Sequence, residues 1–196
     1  MPSSTSPNTS APVHQKELVY LFLDDRSARH HETIDLIKKG EELKIIAIYC
    51  CKNHNTLDLS FTVNHLAENT TSELYVYGLL KDHAKKTCRL TINFHKGSSG
   101  STGTEREEVF LLSDHAKNLS EPIINCSEEN VKGSHGASVG HLDPVQLTYL
   151  ESRGFPEAEA RIFLAKTILK KALVKISDKS QKSSVQRALD DIQYNI

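Results

Sequence analysis

The sequence predicts a mostly β chain, a coil of stacked strands followed by a small helical domain. Three observations predict it. From about Glu17 to Asn125, short β-prone runs alternate with polar turns. The segment Leu79-Leu-Lys-Asp-His-Ala-Lys85 returns as Leu111-Leu-Ser-Asp-His-Ala-Lys117, 32 positions later. After Leu142 the apolar residues change to helical spacing. A repeat in this range marks a solenoid. No single turn buries its own apolar face there, so stacked turns share one continuous core.

The elements follow in order. Residues 1–16 are rich in Ser, Thr and Pro and lack the apolar centre of a signal peptide, which predicts a disordered tail. The strand candidates are Leu18–Leu23, Thr33–Ile37, Leu43–Cys50, Leu57–Asn64, Glu73–Leu80, Thr87–Phe94, Val109–Leu112 and Pro122–Asn125. Leu57-Asp-Leu-Ser-Phe-Thr-Val and Leu90-Thr-Ile-Asn-Phe alternate with period two, as a strand with one buried face does. Leu43-Lys-Ile-Ile-Ala-Ile-Tyr is more continuously apolar, which predicts deeper burial. Lys38-Lys-Gly-Glu-Glu-Leu43 reads as a further turn of the Lys-rich, post-strand kind. Ser98-Ser-Gly-Ser-Thr-Gly103 reads as a flexible loop. It lacks the Gly-Lys-Ser/Thr ending of a nucleotide-binding loop, and no helical pattern follows it.

These runs make 17–142 the β core and 143–196 a helical domain. Asp143 suits an N-cap, Pro144 the first helical position and Gly154 a C-terminal cap. A second helix is expected from about Pro156 to Lys175, with Ala158, Ile162, Ala165, Leu169, Ala172 and Ile176 on one face. Ser177–Ser180 breaks the pattern, and Ser183–Tyr194 reads as a final short helix. The run Arg161–Lys182 carries seven basic residues and one acid, the pattern of a solvated face.

Composition excludes some classes. The chain of 196 residues has 24 basic and 25 acidic side chains, without the clustered positive charge of a nucleic-acid binder. No apolar run approaches the ~20 residues of a membrane span. Four cysteines without a secretory signal fit a reduced, cytoplasmic protein. Cys50 and Cys51 are neighbours on a strand, so they face opposite ways and read as small packing residues. Cys51-x-x-His54 is a weak metal cue without a matching second pair.

The most informative stretch is Lys132-Gly-Ser-His-Gly-Ala-Ser-Val-Gly-His-Leu-Asp143, followed by Gln146-Leu-Thr-Tyr-Leu-Glu-Ser-Arg-Gly154. His135 lies there among residues with little or no side chain, which lets a backbone or ligand approach its imidazole. With Thr70-Thr-Ser-Glu-Leu-Tyr, Leu111-Leu-Ser-Asp and Pro122–Ile124, these blocks resemble, in order, the SufB/SufD family of iron–sulfur cluster assembly scaffolds, and SufD more than SufB. The resemblance implies a short right-handed parallel β-helix followed by a helical domain. It implies a scaffold subunit without catalytic activity of its own, paired with a SufB-like subunit or with itself through the end of the β-helix. It also implies a partner ATPase, SufC-like, held by the helical domain, with Gln146, Leu147, Tyr149, Leu150, Arg153, Gly154 and Phe155 as docking candidates. The motif Ser134-His135-Gly136-Ala137 aligns with a histidine placed at the SufB–SufD interface. On that reading His135 is a transient iron ligand or a base, no cofactor is tightly bound, and iron or an iron–sulfur cluster is held only in passing at a subunit interface.

Two departures qualify the resemblance. SufD-type relatives often carry a cysteine two residues before this histidine, where this chain has Gly133. Cys126 is a possible secondary ligand, although it aligns with an apolar core position. His141 would extend the site or simply be exposed. The chain is also much shorter than usual family members. The first rival reading is a degenerate SufD-like interaction protein that holds no metal. The second is a β-helix enzyme acting on carbohydrate, which needs clustered carboxylates; Asp58, Glu73 and Glu107 are scattered through the strands.

Overall fold

The computed structural model describes residues 15–192. Its elements are β1 (Gln15–Phe22), β2 (Ala28–Leu36), β3 (Glu42–Cys51), β4 (Thr56–His65), β5 (Thr71–Leu80), β6 (Lys85–Phe94), β7 (Thr102–Leu111), β8 (Lys117–Cys126) and β9 (Lys132–His141), then α1 (Pro144–Ser152), α2 (Glu157–Lys170), a 3-10 turn (Lys171–Val174) and α3 (Lys179–Asp190). Odd strands form one sheet in the order β1-β3-β5-β7-β9, and even strands a second in the order β2-β4-β6-β8. Every pairing is parallel and in register. The chain is therefore a β-solenoid of about four turns with two strands per turn, its last strand β9 forming half a rung. The tail expected over residues 1–16 lies outside the described residues up to 14, and Gln15 and Lys16 already belong to β1.

The period-two pattern selects what points inward. Leu57, Leu59, Phe61 and Val63 of β4 meet Leu43, Ile45, Ala47 and Tyr49 of β3 in the interior. β3 and β5 are buried on both faces. Ile46, Ile48, Cys50, Tyr75, Tyr77 and Leu79 point outward under Ala165, Leu169, Ala172, Leu173, Val185 and Leu189 of the helices. This accounts for the continuous apolar run in β3, and it places Cys51 inside the solenoid and Cys50 beneath the helices. Burial holds the Cys50 thiol up at about 11, and burial also raises Cys51. Both are packing residues rather than ready thiolate ligands. The outer face of the four-stranded sheet is polar. Asn64 donates to Asp35 at 2.7 Å, Asn93 to Asn64 at 2.7 Å and Asn125 to Asn93 at 2.8 Å, a ladder that climbs the solenoid.

Several sequence expectations are corrected. β9 was not among the expected strands, because half a rung with no cover has almost no buried residue to reveal a period. β7 starts at Thr102 rather than Val109, with Glu105 and Glu107 on its inward face. The turn at Lys38–Glu41 joins β2 to β3, on the opposite edge from the repeated turns after β5 and β7. The matching third copy is Lys52–Asn55, after β3. There His54, His83 and His115 stack with ring centroids 4.8 Å apart, and Asn53 and Asp82 take left-handed backbone at φ 61° and 55°, which Asn and Asp tolerate best after Gly. The supposed flexible loop at Ser98–Gly103 is a closed corner with Ser98 and Ser101 fully buried. Ser101 Oγ lies 2.8 Å from Thr70 Oγ1, and His65 bridges Thr70 at 2.7 Å and Ser72 at 2.8 Å. Asp143 caps α1 through Val145 N, and Gly154 ends it at φ 93°. α3 starts at Lys179 with Asp178 as its cap, earlier than expected. The end of that helix toward Tyr194 lies outside the described residues.

Two tests follow from this packing. The Tyr49 ring lies over Gly78, where an added Cβ would stand 2.0 Å from the ring. Gly78→Ala is expected to lower unfolding free energy by about 3 kcal/mol, the upper part of the overpacking range, in urea titration. Burial depresses His65 to about 4, so the folded state keeps a neutral ring. The unfolded chain takes up that proton below its ordinary value of about 6.5. The stability His65 contributes is therefore complete above that value and is lost as pH falls toward 4. Between pH 7 and 4.5 the stability advantage of wild type over His65→Gln is expected to shrink by about 2 kcal/mol.

Candidate functional site at the open end of the solenoid

β9 pairs with β7 on one edge, and among the described residues no strand pairs with the other. On this strand inward and outward positions are fixed by two glycines. A Cβ on Gly133 would stand 3.0 Å from Ile124 Cγ2 and 3.4 Å from Phe94, inside the solenoid. A Cβ on Gly140 would stand 3.2 Å from Phe110, on the outer side. Alternation then puts Gly133, His135, Ala137 and Val139 on the inward face and Ser134, Gly136 and Gly140 outside. Ser134 Oγ meets Thr104 Oγ1 at 3.1 Å, and Gly136 faces open space. His135 stands in register on Glu105, and Ala137 on Glu107. Among the described residues no rung lies above them, so His135 is exposed although it points inward.

Beneath this mouth the interior becomes polar. Lys86 Nζ donates to Glu107 Oε1 and, at 3.2 Å, to Ser120 Oγ. Both ends of the Lys86–Glu107 ion pair are buried. Glu105 is 0 % exposed, and neither of its carboxylate oxygens makes a side-chain hydrogen bond; the polar groups that face it are the backbone of Ile123 and Ile92. Burial pushes its carboxyl up to about 8, against a weaker downward pull from the backbone of Ile123 and Ile92. The side chain is thus mostly a neutral acid at pH 7. Sequence reasoning missed this residue because the charges of Thr104-Glu-Arg-Glu-Glu108 hide a strand. Extending the period of Val109 backward would have turned Glu107 and Glu105 inward.

The other candidates separate. Cys126 occupies an inward column in register with Phe94, as expected for a core position, yet it is exposed because the rung is the last. His141 lies six residues from His135 along the strand, about 20 Å, and lines clefts against Leu142 and the helices. Asp58 pairs with Arg29 and His31 on the outer face of the four-stranded sheet, Glu73 faces Lys44 outside the other sheet, and Glu107 is interior. They do not converge. Among the described residues no three His, Cys, Asp or Glu side chains are placed to hold a metal ion.

A second surface lies on the helices. No residue of α1 is buried. Gln146, Tyr149 and Leu150 line an apolar groove with Val145, Phe163 and Leu164. Val145 is 75 % exposed and Tyr149 57 %. Phe155 packs at 6.1 Å from Phe163, and the Arg153 guanidinium lies 5.2 Å over the Tyr149 ring. Leu147 turns the other way, into a cleft with Leu111 and Leu112. Much of the basic run is spent within the chain. Lys170 meets Asp190 at 2.8 Å, Lys171 meets Glu108 at 3.0 Å, and Lys175 lies 4.2 Å over the Tyr75 ring.

Residues 15–167 match the family model described as SUF system FeS cluster assembly, SufBD core domain. The chain belongs to the SufBD family. This SufBD core is 32 % identical over 139 residues to the iron–sulfur cluster assembly protein SufD of Bacillus subtilis (strain 168), covering 71 % of the chain and 32 % of that protein. It is 28 % identical over 122 residues to an iron–sulfur cluster assembly SufBD family protein of Mycobacterium tuberculosis (strain ATCC 25618 / H37Rv), covering 62 % of the chain and 14 % of that protein. A second such protein of the same strain is 25 % identical over 146 residues, covering 70 % of the chain and 37 % of that protein. The chain thus spans little more than a third, or less, of the length of these relatives.

The buried acid makes a stability prediction. Glu105 keeps its proton in the folded state up to about 8, whereas an unfolded glutamate loses it near 4.3. Folding therefore grows less favourable as pH rises through that window. The advantage of Glu105→Gln over wild type is expected to grow by about 4 kcal/mol from pH 5 to pH 8, in urea titrations at both values.

Proposed function

We propose that this SufBD core is a scaffold subunit of a SUF-type assembly complex, with its open rung as the surface on which a cluster is assembled. The observation that carries this reading is the edge of β9, unpaired among the described residues, which sets His135 at the rim of the solenoid's C-terminal end. An unpaired strand edge recruits a partner strand. β8, the matching edge of the other sheet, carries Pro122, which lacks an N–H to donate. β9 has no proline and is the better edge for pairing with a SufB-like subunit or a second copy. His135 then meets the partner as iron ligand or base, with iron and sulfide as cargo rather than as a resident cofactor. Tyr149, Leu150 and Phe163 form the docking surface for a SufC-type ATPase. The site of action on this reading is cytoplasmic; among the described residues no helix is long and apolar enough to cross a membrane.

One observation favours a second reading, a partner-binding paralogue that holds no metal. Gly133 stands where SufD-type relatives often carry a cysteine, and a side chain there would press on Ile124 at 3.0 Å. Co-expression with a SufC-type ATPase tests the scaffold reading. Wild type is expected to co-purify with the ATPase, and Tyr149→Glu with Phe163→Glu to weaken the association at least tenfold while the chain stays folded. Absence of any association between two folded proteins contradicts the docking proposal. Cluster assembly that proceeds unchanged with His135→Ala supports the metal-free reading.

A further inference from the structure

One cluster of interior side chains is used neither at the mouth nor on the helical surface. Lys86 of β6 and Asn118 of β8 are in-register neighbours on adjacent parallel strands, both on the inward face. The Lys86 side chain is 0 % exposed, a rare setting for lysine. Its Nζ donates to Glu107 Oε1 from across the interior and, at 3.2 Å, to Ser120 Oγ. Asn118 Nδ2 donates to the same Ser120 Oγ at 3.0 Å. One hydroxyl thus holds the amine and the amide nitrogen side by side. An amide kept only for hydrogen bonding has both ends answered. Here Oδ1 is buried and, among the described residues, has no partner. An amine, an amide and a carboxyl in contact with the amine therefore meet where solvent does not reach.

We propose that Lys86 and Asn118 condense to an isopeptide bond, a covalent staple between β6 and β8, with Glu107 as the proton carrier. Glu107 takes a proton from the Lys86 ammonium and bares the nitrogen lone pair. That transfer replaces two buried charges by two neutral groups. Nζ attacks Asn118 Cγ, so the Nζ–Cγ bond forms and the Cγ–Nδ2 bond breaks. Glu107 gives its proton to the departing nitrogen and takes one from the attacking nitrogen. The products are a secondary amide, one ammonia and a neutral Glu107 acid. No electrons are exchanged, and no other reactant is consumed. The bond goes beyond the scaffold reading and stands without it. It joins the strands where Glu105, Glu107 and Ser120 replace apolar filling, the stretch of the interior that burial stabilises least.

Mass spectrometry of the full chain, purified folded and then denatured, reads the bond directly. Wild type is expected one ammonia below its sequence mass. Its tryptic digest is expected to hold a branched peptide that joins Lys86 to Asn118 and is uncut after Lys86. Lys86→Met and Glu107→Gln are each expected to show the full mass of their own sequences, with circular dichroism to verify the fold. Wild type at its full sequence mass, with no branched peptide, overturns the proposal whatever the variants do. A lost ammonia that persists in folded Lys86→Met assigns the loss to an asparagine closing on its own backbone, and this also overturns the bond. A branched peptide that forms equally in folded Glu107→Gln overturns the part given to Glu107.

Discussion

In-register parallel stacking is the constraint on which the rest depends. Each inward side chain stands on the residue roughly one turn earlier, so each rung is the floor of the next. Within the stack the rule favours complementary sizes, as where Tyr49 fits over Gly78. A polar group sits inside most favourably where a neighbour answers it. Lys86 and Glu107 satisfy that condition across rungs, and His65 with Thr70 and Ser72 satisfies it at a corner. The Tyr49 hydroxyl, Asn118 Oδ1 and the Glu105 carboxyl do not. A stack of this kind has no requirement to end symmetrically, and its final half rung leaves His135 exposed.

The interior changes character along its axis. Rungs built by β3 to β6 are filled mainly with Leu, Ile, Val and Phe. Toward β7 and β8 the same columns hold Glu105, Glu107, Ser120 and Asn118. Carboxylates in a solenoid interior weaken the apolar core. The opposite end has its own inward carboxylate, Glu32 of β2, which is answered by the Tyr20 hydroxyl and the His30 ring.

Much of the solenoid was legible because burial on one face leaves a period of two, and because burial on both faces leaves the continuous run of β3. The family motif around His135 was legible as residue order. What stayed hidden had little burial to betray it. β9 is Gly-rich and uncovered, and β7 opens with charges that point inward, against the usual equation of charge with solvent. The repeated turn was seen in two copies. Its third, at Asn53 and His54, keeps the stacked ring and the left-handed Asn but not the flanking letters. Cys126 shows the complementary failure, since column position was legible and the missing roof above it was not. The docking candidates Gln146, Leu147, Tyr149, Leu150, Arg153, Gly154 and Phe155 fall in one short stretch, whereas a helix splits such a stretch between faces. Leu147 faces the solenoid, and Tyr149 and Leu150 face the groove.

The helices cover only the sheet that ends in β9. Leu142 and Asp143 alone separate that strand from α1, and Lys171 clamps the end of α2 to Glu108 on the neighbouring strand β7. A pull on α1 thus travels through a two-residue tether into β9, and the clamp gives it a fixed fulcrum one strand away. The polar ladder on the opposite sheet takes no part in this lever. Motion imposed from outside on the helical surface would tilt the rim of the mouth before it disturbed the apolar rungs behind it.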